Sequence, residues 1–195
     1  MKAILGIKKG MTRVFKDGAM IPVTIVDTSL CKVAKRDSSQ VEIGLLKKKR
    51  PTKVEIGQYK ELKYVPKYTK VFTGDFGEEV SIGDEIKAEF FDEGEEICIT
   101  AKTKGKGFQG VVKRWGFKGG QRTHGQSDRL RAPGSIGGGT DPGRVWKGKK
   151  MGGRMGGKTK TLTNSKIVEI NNQYILVSGP IPGPNGDLVS IYTKQ

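Results

Sequence analysis

A single long segment, residues 105–160, restricts what this chain can fold into more than any other feature of the sequence. Its 56 residues include 17 of the 29 glycines but only five aliphatic side chains of the Ile, Leu and Val types. Burying so few apolar groups cannot offset the conformational entropy that is lost when the whole segment becomes ordered. The segment is therefore predicted either to be disordered in isolation or to take its order from surroundings that another molecule supplies.

The charge of the chain is concentrated in the same segment. Residues 105–160 contain 14 Lys and Arg against two acids, within a chain whose formal net charge is +16. Such an excess indicates the kind of partner and not the fold, and polyanionic RNA suits a flexible cationic segment. An anionic membrane is the weaker alternative, because surface binding would use an amphipathic helix and glycine at this density prevents one.

The start of the chain and its apolar runs predict a soluble, cytosolic protein. Lys8 and Lys9 interrupt the first apolar residues, so no signal peptide is expected. No apolar run approaches the roughly 18 residues of a membrane span. Cys31 and Cys98 form no CxxC pair, which favours two small buried thiols in a reducing compartment over a zinc site, with a single disulfide left open.

The residues on either side of the basic segment predict a mainly β fold. Short β-branched stretches bounded by Gly, Pro and Asp recur there, and many short strands of this kind favour a small barrel or sandwich. The stretches are residues 4–8, 12–15, 19–27, 31–36, 41–46, 85–91, 97–102, 162–170, 174–177 and 188–192. We therefore expect a β-barrel body from residues 1–104 and 160–195, with residues 105–159 inserted as a long basic, glycine-rich loop.

Three local features qualify this expectation. Gly10 is predicted to break the first strand, and Asp17-Gly18 is a good hairpin signal. Residues 50–80 contain two prolines and scattered Lys and Tyr, and no firm structure is assigned to them.

Two motifs suggest catalysis, and neither has the context that it needs. Residues 105–110 match GxGxxG, but a dinucleotide site requires a docking helix after the glycines, and Gly116 is expected to cut that helix short. His124 is the only histidine. It is expected to hydrogen-bond or stack locally, since a triad with Ser127 and Asp128 would join residues too close in sequence to face each other. The chain is therefore predicted not to be an enzyme and to hold no cofactor or metal.

The candidate RNA-binding residues are aromatic, polar, cationic and glycine residues of the central segment. Base stacking on an aromatic ring is worth roughly 1–3 kcal/mol per base, and neighbouring cations neutralise phosphates. Glycine lets the backbone approach RNA closely and adopt positive φ. The alternative for Trp115, Phe117 and Trp146 is that their rings fasten the loop to the barrel. The predicted RNA-binding residues are Lys106, Phe108, Gln109, Lys113, Arg114, Trp115, Lys118, Arg122, His124, Arg129, Arg131, Gly134, Gly137, Gly138, Arg144, Trp146, Lys147, Lys149, Lys150 and Arg154.

Several runs of this sequence resemble one protein family. In the central segment they are residues 105–115 (GKGFQGVVKRW), 123–125 (THG), 131–137 (RAPGSIG) and 142–151 (PGRVWKGKKM). At the ends they are residues 5–12 (LGIKKGMT) and 179–184 (GPIPGP). The chain resembles the L-three family of large-subunit ribosomal proteins in its bacterial form. The similarity extends over nearly the whole chain and is weakest over residues 50–80.

The resemblance implies a specific architecture and set of partners. A translation-type β-barrel would lie on the outside of the large subunit, in the cytoplasm. An extension of about residues 105–157 would pass through rRNA toward the peptidyl-transferase region, with its tip near residues 134–141. Early assembly contacts with rRNA, and the large-subunit proteins fourteen and nineteen as neighbours, are also implied. Structural Mg²⁺ would be held by the rRNA, and no membrane or small-molecule substrate is expected.

Under this hypothesis the chain acts as a scaffold for rRNA. Arg129, Arg131, Arg144 and Arg154 would clamp phosphates with their planar guanidinium groups. Some relatives have glutamines at the tip, one of them a methylation site, whereas this chain has Gly-Gly-Thr-Asp at residues 138–141.

Two rival functions stay open. An rRNA-modifying or RNA-processing enzyme that uses the barrel as a platform would need a cofactor pocket or a tuned base, and S-adenosylmethionine or a nucleotide should stabilise it thermally. A nucleic-acid chaperone outside the ribosome should bind duplex DNA as well as structured RNA, which a competition experiment would reveal.

Overall fold

A computed structural model describes residues 1–16, 18–37, 39–62, 64–74, 76 and 80–193. The strands are β1 (Ala3–Lys16), β2 (Ala19–Asp27), β3 (Cys31–Arg36), β4 (Gln40–Lys47), β5 (Pro66–Thr73), β6 (Glu96–Lys102), β7 (Phe108–Gln109), β8 (Gly153–Arg154), β9 (Thr159–Asn171), β10 (Tyr174–Ser178) and β11 (Leu188–Thr193). The helices are α1 (Lys53–Gln58) and α2 (Val111–Trp115), with 3₁₀ turns at Lys60–Leu62 and Ala88–Phe90. The predicted mainly β class is confirmed.

The chain divides into two compact units. The first contains Met1–Thr103 together with Thr159–Gln195, and the second is Lys104–Lys158. The second unit is called the central unit below. The loop predicted from the sequence, residues 105–159, differs from the bounds of the central unit by one residue at each end.

Six strands of the first unit close into a barrel in the order β1–β11–β6–β9–β10–β2. All the pairings are antiparallel. Ile99 of β6 lies opposite Ile191 of β11, and both side chains are fully buried. Strands from before and after the central unit therefore share one core, which β-branched side chains fill because they pack well on a pleated surface.

A second, three-stranded sheet in the order β3–β4–β5 lies outside the barrel. The sequence placed residues 31–36 and 41–46 in the barrel body without distinguishing this sheet. Its apolar residues Val33, Ile43 and Phe72 belong to the same buried cluster as the barrel core. Residues 50–80, unassigned from sequence, supply β5 and α1. Thr52 caps α1 by accepting a hydrogen bond from Glu55 N at 3.4 Å while its own backbone N–H donates to the Glu55 carboxylate at 2.9 Å.

Two strand predictions were wrong in detail. Gly10 does not end the first strand, because β1 continues through it with a bulge between Lys8 and Gly10. Residues 85–91 do not form a strand: Glu85 makes an isolated bridge to Lys32, and a 3₁₀ turn follows. The buried side chains there, Ala88 and Phe91, are three residues apart, which suits a 3₁₀ turn with its three residues per turn.

Two further sequence predictions concern the β1–β2 turn and the cysteines. The β1–β2 pairing reaches Lys16 opposite Ala19, as a hairpin requires, although Asp17 of the predicted turn lies outside the described residues. Cys31 and Cys98 are buried and free, as the favoured hypothesis expected. Burial raises the pKa of the Cys31 thiol to about 12.

Candidate nucleic-acid interface

The two ends of the central unit are joined by backbone hydrogen bonds. Lys106 N donates to Met155 O, and Met155 N donates to Gly107 O, both at 2.9 Å. In the short ladder beyond them, Phe108 of β7 lies opposite Arg154 of β8. This pairing places Phe108 and Arg154 on adjacent strands, with Lys106 just before β7, and all three of these predicted RNA-binding side chains are exposed.

Helix α2 is short for the reason that the sequence suggested. Gly116 follows Trp115 in the left-handed region at φ 75°, and its N–H donates to Val112 O at 3.0 Å, which is how glycine commonly ends a helix. A five-residue helix offers no docked helix of the kind that a dinucleotide site requires. Val111 is the single buried apolar side chain of the central unit, all of whose residues are described. The unit has little core of its own, in agreement with its composition.

Arg114 and Trp115 are held by one backbone carbonyl. Arg114 Nη1 and Trp115 Nε1 each donate to Met151 O at 2.8 Å. The Arg114 guanidinium lies 4.9 Å from the centroid of the Trp115 ring, and Lys150 Nζ lies 5.7 Å from it. Arg114 and Trp115 therefore each use a hydrogen-bond donor for Met151 O inside the unit. The Trp115 ring is also in contact with cations of the unit itself. Sequence inspection missed the role of Met151, because a backbone carbonyl leaves no residue-type signal.

Phe108 and Trp146 are the most exposed aromatic side chains of the central unit. Phe108 is 75% exposed and Trp146 is 59% exposed, against 42% for Trp115. The Arg144 guanidinium lies 4.6 Å from the centroid of the Trp146 ring, a cation–π contact. An aromatic face, a planar cation and open solvent thus meet at Arg144 and Trp146, which is the combination that base stacking with phosphate neutralisation requires.

The cations of the central unit form a nearly unpaired positive surface. Every ion pair between two described residues lies in the first unit. In the fully described stretch 104–157, no Lys or Arg has a carboxylate within 4.0 Å, and all of them except the half-buried Arg114 are exposed. The predicted cations on this surface are Lys106, Lys113, Arg114, Lys118, Arg122, Arg129, Arg131, Arg144, Lys147, Lys149, Lys150 and Arg154.

An open concavity lies in the middle of the central unit. Gly120 N donates to Leu130 O at 2.9 Å and Ala132 N donates to Arg129 O at 3.2 Å, which folds the chain back on itself. The predicted residues Lys118, Arg129 and Gly134 line this concavity. The lining residues absent from the prediction are Gly116, Phe117, Gly119, Gly120, Ala132 and Pro133. The Gly119-Gly120 pair is the sequence feature that could have indicated these residues. Paired glycines permit a close approach of two backbone segments, here to Arg129 O and Leu130 O.

Gln109 and His124 differ in their local contacts. Gln109 Nε2 donates to Lys106 O, three residues earlier in the chain. His124 is exposed with φ 59°. In the described part of the chain it has no hydrogen bond and no ring contact, so the local bond expected for it is absent. Ser127 Oγ bonds its neighbour Asp128 at 3.3 Å and not His124, which leaves no catalytic triad.

At the predicted tip only one of the expected glycines has positive φ. Gly134 has φ 77°, whereas Gly137, Gly138 and Gly139 are outside the left-handed region. Gly137 and Gly139 have open space where a Cβ would stand, and Gly138 faces Asp141 O at 3.2 Å. A positive φ, which favours glycine, is therefore found at Gly134. At Gly137 the space beside the backbone is open, which permits another molecule to approach it closely.

The described residues show neither a metal cluster nor a membrane helix. Where placement permits description, no group of three or more His, Cys, Asp or Glu side chains could hold a metal ion. Over the same residues, no helix is both long enough and apolar enough to cross a bilayer.

Comparison with known proteins identifies the family. A family described as "Ribosomal protein L3" matches residues 71–175, more than half of the chain. The chain belongs to the ribosomal protein L3 family. Members of this family are structural constituents of the large ribosomal subunit and work in the cytoplasmic ribosome, and they are not enzymes. The predicted family, the absence of an enzymatic role and the location are confirmed.

Full-length relatives agree with this assignment to the L3 family. A protein of Chlorobium phaeovibrioides named large ribosomal subunit protein uL3 is 46% identical, with both chains covered completely. Relatives of the same name from Chlorobaculum parvum and Thermosipho africanus are 43% and 42% identical, with at least 98% of each chain covered. The similarity therefore includes the barrel strands and the central unit.

Proposed function

We propose that the chain binds large-subunit rRNA through its central unit, aids early subunit assembly and supports rRNA next to the peptidyl-transferase centre. The neighbours proposed for it are the large-subunit proteins fourteen and nineteen. Any structural Mg²⁺ is held by the rRNA in this proposal. The role is that of a scaffold, and the chemistry of the ribosome is left to its RNA.

One observation carries this proposal: over residues 104–157 the cations, apart from the half-buried Arg114, are exposed, and none has a protein carboxylate within 4.0 Å. In the first unit several acids pair with a lysine, as Glu93 does with Lys16 at 3.1 Å. A surface whose cations have no internal partner attracts polyanions, because each Lys or Arg that neutralises a phosphate releases a condensed counterion. The arginines also present planar donors that match two phosphate oxygens at once.

The small core of the central unit supports a role in which RNA completes its packing. Val111 alone is buried among its apolar side chains, while Phe108 and Trp146 are largely exposed. In an RNA complex these rings would stack on bases, and the hydrogen-bonded turns would position the cations along the backbone. Binding then supplies the burial that the unit lacks.

Sedimentation of the tagged chain from cell extract, in a magnesium-containing gradient after a high-salt wash, tests the proposal. A loosely bound protein with six to ten phosphate contacts should lose roughly 10³–10⁵ in affinity between about 50 and 200 mM salt. A chain threaded into the subunit should stay with it. Release to the top of the gradient would refute an integral role and favour the chaperone hypothesis.

The residue-level test is Arg144→Ala. Loss of one phosphate contact should weaken rRNA binding and lower the magnitude of the slope of log K against log salt by about 1. Lys166→Ala is the matched control, since it removes one exposed cation from the barrel strand β9, where Lys166 pairs with Glu96 at 3.5 Å. Equal slopes for the two variants would exclude a phosphate contact at Arg144.

A further inference from the structure

An apolar groove of about 440 Å³ opens in the first unit beside the three-stranded sheet. Its large apolar lining residues are Val41, Ile43, Phe76, Val80, Ile86 and Phe90. Phe90, at one side of the groove, is 48% exposed although it is a large apolar side chain. A volume of this size is within the range of roughly 300–1,000 Å³ that is typical of ligand pockets, so the groove has room for at least one large side chain.

The walls of the groove are fixed by hydrogen bonds. Hydrogen bonds join residues 80–86 to strand β3. Arg36 Nη1 donates to Val80 O, Val33 N donates to Asp84 O at 3.0 Å, and Ile86 N donates to Cys31 O at 2.9 Å. The groove is therefore a preformed feature of the first unit, and an incoming group would not have to order it.

The charge around the groove is opposite to that of the chain as a whole. Residues 80–90, which supply most of the lining, contain three acids and a single base. Asp84, Glu85, Glu89 and Lys87 line the groove itself. Glu85 is neutralised by Lys32 at 2.7 Å. Asp84 accepts a hydrogen bond from Ser81 N at 2.8 Å. Among the described residues, neither Asp84 nor Glu89 forms an ion pair.

This combination disfavours RNA as the occupant. Phosphates would meet carboxylates, and the apolar lining offers few donors to a phosphate oxygen. A protein segment rich in Lys and Arg fits better, because an apolar side chain can fill the groove while cations pair with Asp84 and Glu89. The long stems of Lys and Arg can also lie over an exposed ring such as Phe90 while their charged ends reach the carboxylates.

We infer that this groove docks a basic protein segment, a Lys- and Arg-rich tail or loop of a neighbouring protein of the subunit, which inserts one apolar side chain beside Phe90. The inference rests on the proposed function, since it places the chain among other proteins that bind rRNA. It assigns the two charged regions of the chain to different partners: the central unit binds RNA, and the acidic rim of the groove binds protein.

Photo-crosslinking in assembled subunits tests the inference. The full chain is expressed with Phe90 replaced by a phenylalanine analogue that carries a diazirine, which reacts with protein and RNA alike, and subunits are irradiated after the high-salt wash. Mass spectrometry should identify a crosslinked protein segment rich in Lys and Arg. A crosslink to RNA, a crosslink to an uncharged or acidic segment, or no crosslink from chains inside subunits would overturn the inference.

Charge reversal supplies the matched control. Glu89→Lys should lower the yield of the Phe90 crosslink roughly fivefold, the factor for a rim ion pair of about 1 kcal/mol. Glu169→Lys changes the net charge equally at an exposed position of β9 that does not line the groove, and it should leave the yield unchanged. Equal yields in both variants would overturn the charge argument. A wild-type chain absent from subunits would instead refute the proposed function, and this inference with it.

Discussion

Gly156→Ala should open the base of the central unit. Gly156 has φ 72°, and a Cβ added there would overlap Lys104 O and come within 3.0 Å of the Lys104 carbonyl carbon. The adjacent Gly157 also has positive φ, 65°, but nothing lies within 4 Å of the position of its Cβ. Gly157→Ala therefore introduces the same backbone strain without the clash, which makes it a matched control.

The magnitude follows from the hydrogen bonds that the clash would displace. A Cβ needs roughly 3.5 Å from a carbonyl oxygen, so the two chain ends must separate by about 1 Å or more. The bonds between Lys106 N and Met155 O and between Met155 N and Gly107 O, now 2.9 Å, would then exceed hydrogen-bonding distance. At about 1 kcal/mol each, their loss costs about 2 kcal/mol beyond the left-handed strain of about 1 kcal/mol that both variants share.

Hydrogen exchange of the purified full chain measures this difference directly. The amides of Lys106 and Met155 should exchange roughly 30-fold faster in Gly156→Ala than in Gly157→Ala, since 1.4 kcal/mol corresponds to a factor of ten. The amide of Ile191 in β11 should exchange at the same rate in both variants, because it belongs to the barrel. Equal acceleration in the two variants would show that the close approach to Lys104 O does not exist, and the reasoning would fail.

Three further predictions concern other parts of the chain. Lys8→Met should lower the free energy of unfolding, measured by urea titration, by about 2 kcal/mol, because the buried Lys8 Nζ donates to Ile181 O at 2.7 Å and to Gly183 O at 3.0 Å. The control is Lys9→Met at the exposed neighbouring position, and an equal loss of stability in the two variants would contradict the prediction. Trp115→Phe should speed hydrogen exchange of the α2 amides by removing the Nε1 donor to Met151 O, whereas unchanged rates would show that this bond holds nothing in place. Cys31 should resist N-ethylmaleimide at pH 8 until the chain unfolds, since burial raises its pKa to about 12; rapid labelling of the folded chain would refute its burial.

Strand positions could be predicted from sequence wherever local pattern and burial agree. Residues 97–102 and 188–192 alternate β-branched residues, and they became β6 and β11. The prediction failed at residues 85–91, where local pattern and tertiary contacts compete: Ala88 and Phe91 are buried three residues apart in a 3₁₀ turn. It also failed at Gly10, because a bulge accommodates a residue that the local signal treats as a break.

The candidate interface shows a similar division. The excess of cations over acids could be read from composition. Over residues 104–157 the structure shows these side chains, apart from the half-buried Arg114, exposed and without carboxylate partners. That Arg114 and Trp115 share Met151 O as an acceptor could not be predicted. The acceptor is a backbone atom 36 residues away from Trp115 in sequence, and only the folded path of the chain brings it there.

The sequence by itself determined the family, the mainly β class and the concentration of positive charge in one glycine-rich segment with few aliphatic residues. These properties follow from residue types and short-range order, and they require no knowledge of which residues meet in space. The tertiary structure alone decided which strands close the barrel, the separate β3–β4–β5 sheet and the apolar groove with its acidic rim. Each of these joins residues distant in the chain, and their contacts depend on core packing, to which many sequence positions contribute at once.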